Sequence, residues 1–127
     1  MEETLVQILL ATPAIVAITG QKIRLGRADQ RDARPYVVLQ TVSSAPSYHM
    51  QGEANPVPIR MQIDCYADKY GQAKTLARAI KSRLSGYQGG PFKGVFIDSE
   101  RDLPAADAGE VTSLFRTSID ITVHYGA

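Results

Sequence analysis

The chain is poor in the residues from which active centres are usually built. It has one cysteine, Cys65, and two histidines, His49 and His124, among 127 residues. A single thiol forms no intramolecular disulfide, which suits a reducing compartment. Cys65 falls among the apolar positions of an alternating segment and reads as a small buried hydrophobe, not a reactive thiol. Neither histidine has a second histidine or a cysteine at metal-ligand spacing. No serine is bracketed by glycines in the way an acyl-transfer nucleophile requires. Net charge is equally scarce: +1 overall, with a pI near 7.9, so no global field draws the chain to nucleic acid or to an anionic membrane.

Long apolar runs are missing too. Residues 5–18 come nearest, but Gln7, Thr12 and Pro13 break them and two glutamates precede them. A signal peptide needs a basic start, and a membrane span needs about 20 apolar residues. The expectation is a protein with no membrane partner that stays where it is made unless it leaves within an assembly. The glycine-rich residues 86–94 lack the Gly-Lys-Ser/Thr ending of a phosphate loop and follow a helix instead of preceding one, so they read as a connector. Asp98, Glu100 and Asp102 alternate along a strand, but Arg101 interrupts them and no glycine-turned calcium loop follows. They read as a solvated or partner-facing edge. The sequence therefore carries no catalytic, cofactor or metal set, and the expectation is that the chain is not an enzyme.

What is present is a clear alternation of strands and helices. Ile59, Met61, Ile63 and Cys65 point one way and Arg60, Gln62, Asp64 and Tyr66 the other, the period of a half-buried strand. Asp68 is then a helix N-cap candidate. Ala73, Leu76, Ala77, Ile80 and Leu84 recur at three- and four-residue steps, and Gly86 supplies a stop. Residues 2–11 read as a short helix with Leu5, Ile8 and Leu9 inward and its glutamates at the end where the helix dipole favours them. Thr12 and Pro13 start a second short helix that stops at Gly20. Residues 22–25, 36–43, 95–102 and 113–125 read as further strands; residues 26–35, 44–58 and 103–112 read as connectors. In the last strand Phe115, Thr117, Ile119, Ile121 and Val123 alternate against Arg116, Ser118, Asp120, Thr122 and His124. These elements predict one α+β domain over residues 1–127, with a four- or five-stranded mostly antiparallel sheet and helices packed on one face.

Arg60 and Asp64 are spaced like Arg116 and Asp120. Antiparallel pairing with Arg60 opposite Asp120 and Asp64 opposite Arg116 would give two opposite-charge pairs, and would also set Met61 beside Ile119 and Cys65 beside Phe115. The local charges are more telling than the total. Residues 69–93 hold six basic side chains and no acidic one, with Lys74, Arg78 and Lys81 stacked opposite the apolar stripe of the helix. Residues 98–110 hold five acids against one arginine. Either these are two solvated surfaces or they are the halves of a head-to-tail contact, the basic helix of one subunit meeting Asp98, Glu100 and Asp102 of the next and closing a ring. The proline-rich residues 44–58 include Tyr48, His49 and Met50, candidates for a partner-contact loop.

The start at residues 5–20, the segment Arg60-Met61-Gln62-Ile63-Asp64-Cys65-Tyr66-Ala67, the helix through Leu84, the triplet Glu100-Arg101-Asp102 and the ending Phe115-Arg116-Thr117-Ser118-Ile119-Asp120-Ile121 resemble the tail-completion proteins of long-tailed bacteriophages, also described as tail-terminator or head-tail joining proteins. Gene transfer agents and defective prophages use similar proteins. The resemblance implies a virion protein that forms a homo-oligomeric ring, commonly a hexamer, on the head-proximal end of the tail tube. Such a ring ends tube polymerisation and joins the tail tube protein to the head connector proteins. DNA passes through it without sequence-specific binding, and assembly takes place in the host cytoplasm. It implies no catalytic residues and no cofactor. The alternatives are a small ligand-binding or enzymatic α+β domain acting as monomer or dimer, which would use a pocket between the long loop and the sheet, and a DNA-binding module.

Overall fold

A computed structural model describes residues 2–26, 35–44, 57–89, 92–104 and 115–125. The elements run α1 (Glu2–Leu10), α2 (Pro13–Thr19), β1 (Ile23–Leu25), β2 (Tyr36–Ser44), β3 (Val57–Ala67), α3 (Tyr70–Leu84), β4 (Phe92–Pro104) and β5 (Phe115–Tyr125). Five strands form one sheet in the order β1-β2-β3-β5-β4. β1 runs parallel to β2, and every other neighbouring pair is antiparallel. This is an α+β fold with helices on one face.

The helices form where apolar residues fall on one stripe. Ala73, Leu76, Ala77, Ile80 and Leu84 of α3 are all fully buried, against β3 and β5. Leu5 and Leu9 of α1 and Ile15 of α2 complete the same cluster, which reaches Val37, Leu39, Met61, Ile63, Ile119 and Ile121 of the sheet. Each fully buried Leu or Ile contributes about 1.5–3 kcal/mol relative to its exposed state. The break between α1 and α2 lies where the spacing predicts it. Pro13 opens α2 and Thr12 takes the N-cap position, but its hydroxyl donates back to the Ile8 carbonyl at 2.9 Å and caps nothing. At the exit of α3, Gly86 adopts φ +73°, a left-handed conformation that glycine reaches without strain. Its N–H then donates to the Val95 carbonyl at 2.8 Å, tying the helix exit to β4.

Four local expectations are corrected. Lys69, not Asp68, occupies the N-cap position of α3, and no side chain caps that end. The β3–β5 register is displaced by two residues from the charge-matched one: Arg60 faces Thr122, Gln62 faces Asp120, Asp64 faces Ser118 and Cys65 faces Thr117. A two-residue step keeps every side chain on its face; Met61 now meets Ile121 and Ile63 meets Ile119, so apolar pairing is retained, Asp64, Arg116 and Asp120 find partners off the rungs, and Arg60 makes no ion pair among the described residues. Phe115 is 37% exposed at the start of β5, edge-on to the Tyr70 ring with centroids 6.1 Å apart. Finally, the face assigned to water buries Asp64, Ser118 and Val38 near its middle.

β4 carries two register shifts, between Phe92 and Gly94 and between Ile97 and Ser99. The second inserts Asp98 as an extra residue. Val95 and Ile97 stand opposite Val123 and Ile121 on the helix side, whereas beyond Asp98 it is Glu100 and Asp102 that stand opposite Ile119 and Thr117. Simple alternation would have put Ser99 and Arg101 there. A β-bulge of this kind re-aims side chains, and here it separates Asp98 from the other two acids.

Candidate interaction surface

The basic stripe of α3 and the acidic strand β4 meet within one subunit. Lys74 Nζ lies 2.8 Å from Glu100 Oε2 and 3.2 Å from Asp102 Oδ1. Lys81 Nζ bonds the other carboxylate oxygen, Glu100 Oε1. The hydroxyl of Tyr70 donates to Asp102 Oδ2 at 2.9 Å, and Thr117 Oγ1 donates to Asp102 Oδ1 at 3.2 Å. Lys74 also stands 5.7 Å from the centre of the Tyr70 ring. Tyr70, Lys74 and Lys81 share a helix face through steps of four and seven, and the bulge at Asp98 turns the two acids toward them.

The electrostatics follow from these bonds. Hydrogen bonds from Lys74 and then Lys81 hold the Glu100 carboxyl below the usual glutamate value, against an opposing effect of burial. The Tyr70 hydroxyl, followed by Lys74 and Thr117, holds Asp102 below the usual aspartate value. In return Glu100 raises the Lys74 ammonium above its ordinary value, and Asp102 raises the Tyr70 phenol. Glu100, Asp102 and Lys74 are thereby held in their charged forms at neutral pH and the Tyr70 phenol in its neutral one. The arrangement fastens a strand to a helix.

The candidate residues therefore divide. Lys74, Lys81, Glu100 and Asp102 form one intramolecular seam. Arg78 is exposed and makes no ion pair among the described residues. Asp98 stands on the opposite sheet face, accepting a hydrogen bond from Thr122 Oγ1 at 2.5 Å. Tyr48, His49 and Met50 lie outside the described residues. Sequence reasoning missed Tyr70, although its position four residues before Lys74 places it on the same helix face.

On the far side of the sheet the expected Asp64–Arg116 pair forms, though diagonally, within a cluster whose other members, Gln62, Tyr66 and Tyr36, sequence reasoning missed. Asp64 Oδ2 receives Arg116 Nη2 at 3.1 Å, and both Asp64 oxygens receive Gln62 Nε2 at 3.0 and 3.1 Å. Arg116 also lies over Tyr66 at 5.7 Å, and Tyr66 stacks on Tyr36 with centroids 4.9 Å apart. Burial raises the Tyr66 phenol, with Arg116 opposing it. Cys65, on the helix side, is fully buried, and burial raises its thiol far above the ordinary value. Among the described residues no three of His, Cys, Asp and Glu converge as metal ligands, and no helix is long and apolar enough to cross a membrane.

Three comparisons with known proteins bear on this geometry. The family model described as tail completion protein gp17 matches residues 3–125. A chain from the virion of a native gene transfer agent particle has the same fold, with a TM-score of 0.79 over 97% of this chain and 92% of the other, at 18% sequence identity. No curated protein matches the sequence.

Proposed function

Because the chain belongs to the tail completion protein gp17 family and is thus a structural tail protein, we propose that it caps the head-proximal end of the tail tube as a hexameric ring. The ring ends tube polymerisation and presents the surface that the head connector proteins join. It forms in the host cytoplasm, and DNA passes through it without sequence-specific contact. The observation that carries this reading is the extent of the family match, which runs from α1 through β5 and so covers the whole sheet and all three helices. The sheet and helix surfaces just described, which hold charged residues in place without converging on a substrate, are in keeping with a protein that acts by contact.

Within this reading the basic face of α3 and the acidic strand β4 are the proposed subunit contact, with Tyr48, His49 and Met50 as a proposed partner-contact segment. Lys74 and Lys81 are already bonded to Glu100 and Asp102 of their own chain. A neighbouring carboxylate would accordingly meet Arg78 first. Arg78→Glu tests this, since it removes no ion pair or hydrogen bond among the described residues: ring assembly should weaken, more so at low salt, and unchanged assembly at every salt concentration removes the contact.

Electron microscopy of tails assembled without this protein tests the function. Tubes of uncontrolled length, or tails without heads, are expected. Tails of normal length with heads attached would refute the reading, and a native mass corresponding to a monomer on and off the tube would refute the ring.

A further inference from the structure

The sheet face turned away from the helices carries one row in which charge is unbalanced. Phe96 of β4, Thr122 of β5 and Arg60 of β3 stand in line. Arg60 faces Ser43 on its other side, with the bulged Val42 next to it. Both cross-strand neighbours of Arg60 are uncharged, and the exposed guanidinium makes no ion pair or hydrogen bond among the described residues. Every carboxylate described on this face is already engaged. Asp98 accepts from Thr122, Asp120 from Arg101 at 2.6 Å and from Ser99 at 3.1 Å, and Asp64 from Arg116 and Gln62.

Apolar surface flanks the free cation. Val42 is 57% exposed and Phe96 53%. The Phe96 ring is not loose: it lies so close over Gly94 that a Cβ there would come 3.0 Å from its Cε2, and it meets the His124 ring edge-on at 5.5 Å. A large aromatic already held in place loses little freedom on binding. Between Val42 and the Arg101–Asp120 pair runs a groove that Arg60 and Gln62 also line. An aromatic and an arginine beside a groove are the composition of an interface anchor.

We propose that this row docks a segment of a different protein, one that carries a carboxylate next to an apolar residue, with the carboxylate on Arg60 and the apolar side chain against Phe96 or Val42. A second copy presenting this same face is a poor occupant, because the carboxylates described on it, Asp64, Asp98 and Asp120, already have partners. Duplex DNA is a poor occupant as well. Asp98 and Asp120 lie within the same surface and would face its phosphates, and the exposed apolar groups offer them nothing. The inference rests on the tail-assembly reading only for the setting in which the partner is met.

The test places a photoreactive phenylalanine analogue at Phe96, and separately at Val42, in the full chain during particle assembly, and maps the cross-links by mass spectrometry. The expected product joins a different particle protein at a segment holding Asp or Glu beside an apolar residue. Arg60→Gln should lower its yield about tenfold, the scale of one lost charge-assisted bond, and Arg60→Lys, which keeps the charge, should retain most of it. Arg60 has no hydrogen-bond or ion-pair partner among the described residues, so the variant is expected to fold. Cross-links to a second copy, to DNA or to a segment without an acid overturn the proposal. So does a yield indifferent to Arg60→Gln, or no cross-link while the chain is present in tails. Absence of the wild-type chain from tails would overturn the assembly reading and the docking with it.

Discussion

Asp64 and Arg116 meet at 3.1 Å across β3 and β5 although neither is the other's strand partner. Asp64 faces Ser118 and Arg116 faces Tyr66. The ion pair is diagonal, and it places a carboxylate that is only 2% exposed under a guanidinium at 23%. Ion pairs alone are thus a weak guide to register, since a long arginine side chain spans a two-residue offset.

Removing one partner of this pair should be costly. Arg116→Gln leaves a buried carboxylate held only by Gln62 among the described residues, and should destabilise the fold by about 3 kcal/mol. The double variant with Asp64→Asn should recover part of that loss, because no buried charge remains uncompensated. Urea unfolding of both variants measures the coupling; equal losses in the two would show that the pair is not coupled.

The seam between α3 and β4 predicts a pH dependence. Glu100 and Asp102 are both held below their ordinary values of 4.5 and 3.8. A carboxylate with a depressed folded-state value contributes stability that is present above its unfolded value and lost as pH falls through the folded one. Wild-type stability should therefore decline on acidification below about pH 4.5, and Glu100→Gln should flatten that decline while costing about 0.5–1 kcal/mol at neutral pH. The loss should shrink in high salt. Thermal melts across pH 2–7 at two salt concentrations check both points.

At the exit of α3, Gly86 has open space around its Cα but φ +73°. Gly86→Ala should therefore cost about 1 kcal/mol through backbone strain alone. Gly71 lies in the first turn of α3, also with open space around it and without a positive φ. Gly71→Ala should instead be neutral or stabilising by up to about 0.5 kcal/mol. Opposite signs in calorimetry are the expected result.

Cys65 should be silent to thiol reagents. It is fully buried and its thiol is held in the neutral form, whereas thiolates are the reactive species. Alkylation should proceed only at the rate of global unfolding, and should accelerate in parallel with urea-induced opening.

Much of this architecture was legible from the sequence. Met61, Ile63 and Cys65 against Ile119, Ile121 and Val123 report two strands buried on one side, and the stripe from Ala73 to Leu84 reports the helix that covers them. These signals are periodic and read out burial directly. The rest turns on how elements meet, which no single segment encodes. The basic helix and the acidic strand looked like the two sides of a contact between subunits because their intramolecular meeting depends on an extra residue at position 98, and a bulge leaves no composition signal. Asp64 and Ser118 looked wet because their neighbours Arg60, Arg116 and Asp120 are charged, yet those three remain partly exposed while Asp64 and Ser118 lie buried near the middle of the sheet.

The extra residue in β4 sets a phase along the chain. Before it, odd-numbered positions face the helices; after it, even-numbered positions do. The chemistry presented on the two sides of this edge strand thus depends on the bulge as much as on side-chain identity. Pairing Asp98 on a rung of its own would turn Arg101 toward Lys74 and Lys81 and leave Glu100 and Asp102 facing the other way, replacing attraction with repulsion while changing no residue of the strand. Deleting Asp98 would instead leave a regular ladder with Glu100 and Asp102 still opposite Ile119 and Thr117, so the seam is expected to survive loss of this one residue.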